Sequence, residues 1–99
     1  MIRGTTPTLE FVLPFEVSIL DEAYITLSQN EEVILEKKLE ECKADGRKLS
    51  VRLTQEETLK LNCDIKTEIQ IRARTKEGDV VASHIITVDT NRILKDGVI

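Results

Sequence analysis

The strongest constraint on this chain is a strict alternation of residue character between positions 64 and 75. Its odd positions are apolar or threonine, and its even positions are Lys66, Glu68, Gln70, Arg72 and Arg74. Successive side chains of a β-strand point to opposite faces, so this pattern predicts a long strand with one face in a core and one in water. A strand with a wet face is typical of antiparallel sheets, because parallel sheets are usually covered on both faces.

Shorter segments repeat the alternation. They are Leu9–Leu13, Ala23–Leu27 and Leu49–Leu53. A fourth segment, Val33–Leu39, alternates less regularly. Its apolar face consists of Val33, Leu35 and Leu39, and the pattern is broken by Ile34 and Lys37. The length suits one domain spanning residues 1–99. We therefore predict an all-β fold, an immunoglobulin-like antiparallel β-sandwich of about seven strands with one short helical turn.

Turn residues separate these segments. Residues 29–32 lie between the segments Ala23–Leu27 and Val33–Leu39, and the Asp45-Gly46 pair favours a tight hairpin. Gly78 supplies a positive φ angle after the long strand without steric cost. The helical turn is predicted at Thr54–Leu61, where Thr54 and Glu57 have the spacing of a capping box.

The segment Val80–Val88 is apolar on both faces. This predicts either an inner strand or a strand shifted by a bulge near Ser83-His84. Residues 1–8 are predicted to form an extended arm leading into an edge strand, because Pro7 and Pro14 bracket the first strand and proline is confined to sheet edges, strand starts and bulges.

Composition restricts the partners. The net charge is −4, there is no Trp, and the only aromatic residues are Phe11, Phe15 and Tyr24. This argues against nucleic acid, which requires basic surfaces and, for single strands, stacking rings. No apolar run is long enough for a membrane helix, and Glu10 and Pro14 interrupt any secretory signal. We expect a protein partner, no nucleic acid and no membrane, with synthesis in a cytoplasm.

Residues that could carry chemistry are few. Cys42 and Cys63 lack metal-binding spacing; in a reducing cytoplasm they are expected to be free thiols, with a disulfide left as an alternative. His84 is the only histidine, so every Ser-His or Cys-His scheme would depend on it. We therefore predict no catalytic residue, no metal and no cofactor, and a protein that is not an enzyme.

Two groups of residues are candidate interface residues. The C-terminal tail, residues 89–99, places Ile93, Leu94, Val98 and Ile99 within a short span, whereas free tails are usually polar. This tail either folds back on its own sandwich or docks on a neighbouring subunit, so a homo-oligomer is one of the expected states. Arg72 and Arg74 form, with Lys76, a basic stripe that fits an acidic protein partner or cross-strand ion pairs.

Three segments carry a resemblance to a known family: residues 1–8 (MIRGTTPT), Leu13-Pro14-Phe15, and residues 53–59 (LTQEETL). They resemble small proteins that phages and prophages of Gram-positive gut bacteria encode among genes for virion parts. More loosely, the strand pattern is similar to the immunoglobulin-like N-terminal module of phage baseplate upper proteins. The resemblance implies a non-enzymatic structural or adaptor component of a phage particle, in its tail or baseplate region. The alternative is a cytoplasmic binding module with an unknown ligand.

Overall fold

The computed structural model describes residues 1–99. The chain forms eight strands, one α-helix and two short 3-10 turns, at Val17–Ile19 and Leu39–Glu41. The strands are β1 (Thr8–Val12), β2 (Leu20–Gln29), β3 (Glu32–Lys38), β4 (Lys43–Asp45), β5 (Lys48–Arg52), β6 (Thr67–Thr75), β7 (Val80–Ala82) and β8 (Ile86–Val88), and helix α1 (Gln55–Leu59) lies between β5 and β6.

The strands form two antiparallel sheets. A three-stranded sheet has the order β1-β5-β4, and a five-stranded sheet has the order β3-β2-β6-β7, with β8 also paired to β6. The prediction of an all-β sandwich is confirmed, with eight strands where about seven were expected. The helical turn is also confirmed. No helix has the length and apolar character needed to span a membrane.

The core lies between the two sheets and follows the predicted alternation. Its buried residues are Val17, Leu20, Ala23, Ile25, Leu27, Leu35, Leu49, Val51, Leu53, Ile69, Ile71 and Ala73. Cross-strand pairs such as Ala23–Ala73 and Ile25–Ile71 join β2 to β6. The long alternating segment is thus the central strand β6, with its polar residues on the outer face.

A bulge in β3 explains the irregular alternation there. Leu27 lies opposite Leu35, but the next residue, Ser28, lies opposite Val33, so Ile34 is an extra residue in the strand. A bulge of this kind shifts the alternation between faces. The buried residues of β3 are therefore Leu35 and Lys37, and the prediction that Val33 faces the core is wrong, since Val33 is 58% exposed.

The predicted turns are also present. Gly46, with φ +60°, links β4 to β5, and Gly78, with φ +96°, links β6 to β7. Thr54 Oγ1 accepts a hydrogen bond from the Glu57 amide at 3.2 Å, and Glu57 Oε1 accepts one from the Thr54 amide at 2.9 Å. The capping box at the start of α1 is therefore complete.

The two ends of the chain lie side by side. The amide of Arg3 donates to the carbonyl of Asn91 at 3.0 Å, and the Asn91 amide donates to the Met1 carbonyl at 2.7 Å. Arg3 Nε also donates to the Leu61 carbonyl at 2.9 Å. Residues 1–3 are therefore held against the C-terminal tail and the segment after α1.

Candidate interaction surface

The segment Val80–Val88 forms the edge of the five-stranded sheet. Arg72 lies opposite Ala82, and Ile69 lies opposite Ile86. Ala82 and Ile86 are four residues apart, but Arg72 and Ile69 are only three apart, so this segment has one extra residue relative to β6. The bulge predicted near Ser83-His84 is confirmed by this shift. The alternative prediction of an inner strand is wrong, because β7 and β8 have β6 on one side and no strand on the other.

This edge differs in charge from the other three strand edges. Edge strand β1 contains Glu10, edge strand β3 contains several charged side chains, and edge strand β4 contains Lys43 and Asp45. β7 and β8 contain no charged residue and no proline. Charged side chains and prolines on edge strands normally prevent pairing with another chain. The β7–β8 edge is the one that lacks this protection.

The apolar side chains on this edge are exposed. Val80 is 56% exposed, and Val81, Ile85 and Ile86 are also exposed. Val81 and Ile86 lie opposite the buried residues Ala73 and Ile69, so they belong to the inner face of the sheet. The three-stranded sheet therefore leaves the β7–β8 side of the inner face uncovered.

An apolar groove of about 280 Å³ lies on this side of the sandwich. It is lined by Val12, Leu13, Pro14, Phe15, Ile71, Ala73, Val81, Ala82 and Ser83. The lining residues come from the end of β1 and the segment after it, from β6, and from β7 and the residue after it, so both edge strands border the same opening. We name this opening, with the edges of β1 and β7, the open side of the sandwich.

The basic stripe borders the open side on its outer face. Arg74 is paired with Asp21 at 2.8 Å and with Glu22 at 3.1 Å, and its hydrogen bond to Asp21 raises the pKa of its guanidinium. Arg72 makes no ion pair and lies opposite the small residue Ala82. Cross-strand pairing thus occupies Arg74 and leaves Arg72 available to a partner.

The only tyrosine lies next to these arginines. Tyr24 is opposite Arg72 in the β2–β6 register, and its hydroxyl donates a hydrogen bond to Glu22. This hydrogen bond, with a smaller effect of burial, raises the pKa of Tyr24. Tyrosine and arginine are enriched among the residues that dominate protein interfaces.

The tail residues occupy a different place. Ile93 is half-buried, and its Cδ1 atom lies close to Gly4, where a Cβ would be 2.6 Å away. Leu94 is 91% exposed, and Val98 and Ile99 are also exposed. The Ile99 backbone is hydrogen-bonded to the Gln55 side chain of α1. The tail therefore folds back through Ile93, and its last residue, Ile99, is hydrogen-bonded to α1.

The residues considered for chemistry are scattered. Cys42 and Cys63 are both free thiols, and burial raises the pKa of Cys42. No group of three or more His, Cys, Asp or Glu side chains is placed to hold a metal ion. His84 is exposed and lines none of the five main cavities. The open side is therefore the feature with the clearest functional interpretation.

Comparison with known proteins identifies no relative: no protein family, curated protein or solved structure matches this chain.

Proposed function

We propose that this protein is a non-enzymatic structural or adaptor component of a phage particle, in the tail or baseplate region, and that it acts through contacts with other protein chains. The observation that carries the contact role is the charge-free edge of β7 and β8, where apolar side chains border an uncovered part of the core. The assignment to a phage particle rests on the sequence resemblance described above.

The size and shape of the groove favour a protein over a small molecule as the partner. Its volume of about 280 Å³ is at or below the lower end of the range for small-molecule pockets, roughly 300 Å³. It is also continuous with a strand edge that has free backbone donors and acceptors, which a polypeptide can pair with by adding a strand. A cytoplasmic binding module with an unknown ligand is the alternative, and it would use the same groove.

Quantitative mass spectrometry of density-purified phage particles from the encoding strain tests the proposal. We expect the chain to be present in fixed ratio to known tail proteins across the gradient fractions that contain particles. Abundant host cytoplasmic proteins in the same fractions provide the control for contamination. A chain that is no more enriched than those host proteins would contradict the virion role and favour the cytoplasmic binding module.

A further inference from the structure

We propose that the open side binds a second copy of this chain, and that the two copies exchange strand contacts so that β1 of each pairs with β7 of the other. This inference rests on the proposed contact function and names its partner. The argument uses the backbone groups on the two edges, the charges beside them and the groove between them.

Both edges of the open side have free backbone groups. Leu53 N donates to Pro7 O at 2.9 Å and Leu13 N donates to Arg47 O at 2.8 Å, which fixes the alternation of hydrogen bonds between β1 and β5. In an antiparallel pair, alternate residues bond to the neighbouring strand and the others point away from it. Thr8, Glu10 and Val12 therefore direct their amide and carbonyl groups to the open side.

The same reasoning applies to β7. Thr75 N donates to Asp79 O at 2.8 Å, and Ser83 N donates to Ile71 O at 2.9 Å. Between these bonds, Val81 is the residue whose backbone is hydrogen-bonded to β6. Val80 and Ala82 therefore direct their amide and carbonyl groups outward. Each edge thus offers a short row of donors and acceptors that another strand can satisfy.

Charge selects the crossed arrangement over the two alternatives. Pairing β1 with its own copy would place Glu10 near a second Glu10, and like charges directly opposite destabilise a strand pair. Pairing β7 with its own copy would leave two β7 strands between the two Arg72 residues and would give neither of them an acidic partner. In the crossed arrangement Glu10 of one copy meets the region of Arg72 of the other.

The distances allow this contact. Neighbouring strands lie about 4.8 Å apart, so a β1 strand added beside β7 is about 10 Å from β6 at the Cα level. Ala82, the residue between Arg72 and the added strand, is small. The extended Arg72 side chain can therefore cross it and reach Glu10, whose present partner is an exposed Lys48 at 3.4 Å.

The crossed arrangement also closes the assembly. Both edges border the same groove, so one two-fold rotation forms both strand contacts and covers the grooves of both copies. Val81, which is on the inner face and 39% exposed, would then be removed from water. Because each open side is occupied by its partner, the expected product is a closed dimer and not a filament.

Charge reversal provides a test that is specific to this arrangement. We would measure the dimer dissociation constant by sedimentation equilibrium up to about 1 mM protein. Glu10→Lys and Arg72→Glu are each expected to weaken dimerisation at least about tenfold, because each puts like charges in contact twice per dimer. An equimolar mixture of the two variants restores both contacts and is expected to form a heterodimer close to wild-type strength.

A matched pair of variants tests the edge itself. Val80→Lys on β7 is expected to abolish dimerisation, whereas Val33→Lys on the opposite edge, at almost the same exposure of 58%, is expected to leave it unchanged. Circular dichroism and thermal unfolding of each variant check that it is folded. These two side chains have similar exposure, so a difference between them reports on the edge and not on surface charge alone.

Three results would overturn the inference: a monomer at all concentrations, a dimer insensitive to the two charge reversals, or a mixture that does not restore the association. None of these decides the proposed function, which the particle measurement tests separately. A monomer that is nevertheless found in purified particles would mean that the open side binds a different virion protein. If the chain forms the dimer but is absent from purified particles, the proposed self-association is supported and the proposed virion role is contradicted.

Discussion

Lys37 Nζ lies 2.6 Å from Glu57 Oε2, and both side chains are shielded from solvent, with 10% and 21% of their surfaces exposed. The ion pair connects β3 to helix α1. Glu57 also accepts the amide hydrogen bond of Thr54, so one carboxylate serves both the helix cap and the ion pair. Lys37, which breaks the alternation of its strand, thus has a specific partner inside the fold.

The first prediction concerns this carboxylate. Glu57→Gln should destabilise the fold by about 1–2 kcal/mol at neutral pH, because it leaves the shielded Lys37 ammonium with only the more exposed Glu41 carboxylate, 3.7 Å away, as a counter-ion. Glutamine can still accept the capping hydrogen bond, so the change isolates the charge. Urea unfolding measures the difference, and Glu56→Gln in the same helical turn is the control, because that side chain is exposed and has no ion pair.

The same pair predicts a pH dependence. Burial opposes ionisation of Glu57, but hydrogen bonds from Lys37 and Thr54 outweigh it and lower the pKa of the carboxyl in the folded state. A lowered folded pKa contributes stability that is fully present above the unfolded value, about 4.3, and is lost as the pH falls through the folded value. The difference between wild type and Glu57→Gln should therefore shrink below about pH 4. A difference that stays constant down to pH 2 would contradict the charge argument.

A second prediction concerns a buried amide at the end of β2. Gln29 Nε2 donates to the Asn62 carbonyl at 2.8 Å, to the Ile65 carbonyl at 3.1 Å and to Thr67 Oγ1 at 3.2 Å. Its Oε1 accepts from the Asn62 amide at 2.8 Å. The side chain thus pairs with Asn62 as a neighbouring strand would, and it fixes the segment between α1 and β6.

Gln29→Leu should destabilise the fold by about 2–4 kcal/mol, because it leaves the buried Thr67 hydroxyl and the part-buried backbone groups of Asn62 and Ile65 without this partner. Chemical denaturation measures the loss, and amide hydrogen exchange at Asn62 should become faster. Gln70→Leu provides the comparison, since Gln70 makes one side-chain hydrogen bond, to Ser83 O, and lies on the outer face. If the two variants lose equal stability, the network does not have the role assigned to it.

The fold could be predicted from the sequence where a pattern repeats over several residues. The alternation in β6 and β2, the Asp45-Gly46 hairpin and the capping box at Thr54 are local patterns, and the structure contains each of them. The open side could not be predicted in this way, because it depends on which strand lies at an edge. The absence of charge in β7 and β8 was the available signal, but it fits an inner strand equally well.

A single-residue insertion in β3 was the second source of error, whereas the bulge at Ser83-His84 was one of the two alternatives predicted for its segment. In β3 the extra residue Ile34 reverses which side chains face the core, and at Ser83-His84 a bulge does the same between β7 and β8. The alternation has a period of two, so one added residue exchanges the faces for the rest of the strand. A bulge is set by tertiary packing on both strands, so the broken alternation at Ile34 and Lys37 did not by itself predict an inserted residue in β3.

A third prediction separates the tail residues by their burial. Ile93 is half-buried near Gly4 and Leu59, whereas Leu94 is 91% exposed. Ile93→Ala should lower the free energy of unfolding by about 1–2 kcal/mol, since it removes packed methyl groups. Leu94→Ala should change it by less than about 0.5 kcal/mol. Equal losses in urea unfolding would show that Ile93 does not anchor the tail.

The last prediction concerns the turn between β2 and β3. Gln29 pairs with Glu32, and the two residues between them have positive φ angles, 50° at Asn30 and 65° at Glu31. This is a type I′ turn, which favours asparagine followed by glycine. Asn30 suits its position, but Glu31 has a Cβ in a conformation that disfavours side chains.

Glu31→Gly should therefore stabilise the fold by about 0.5–1 kcal/mol. The neighbouring change Glu32→Gly should instead destabilise it, because Glu32 belongs to β3 and glycine weakens a strand. Thermal unfolding of both variants measures the contrast, and a loss of stability in Glu31→Gly would mean that the Glu31 side chain contributes more than its backbone strain costs.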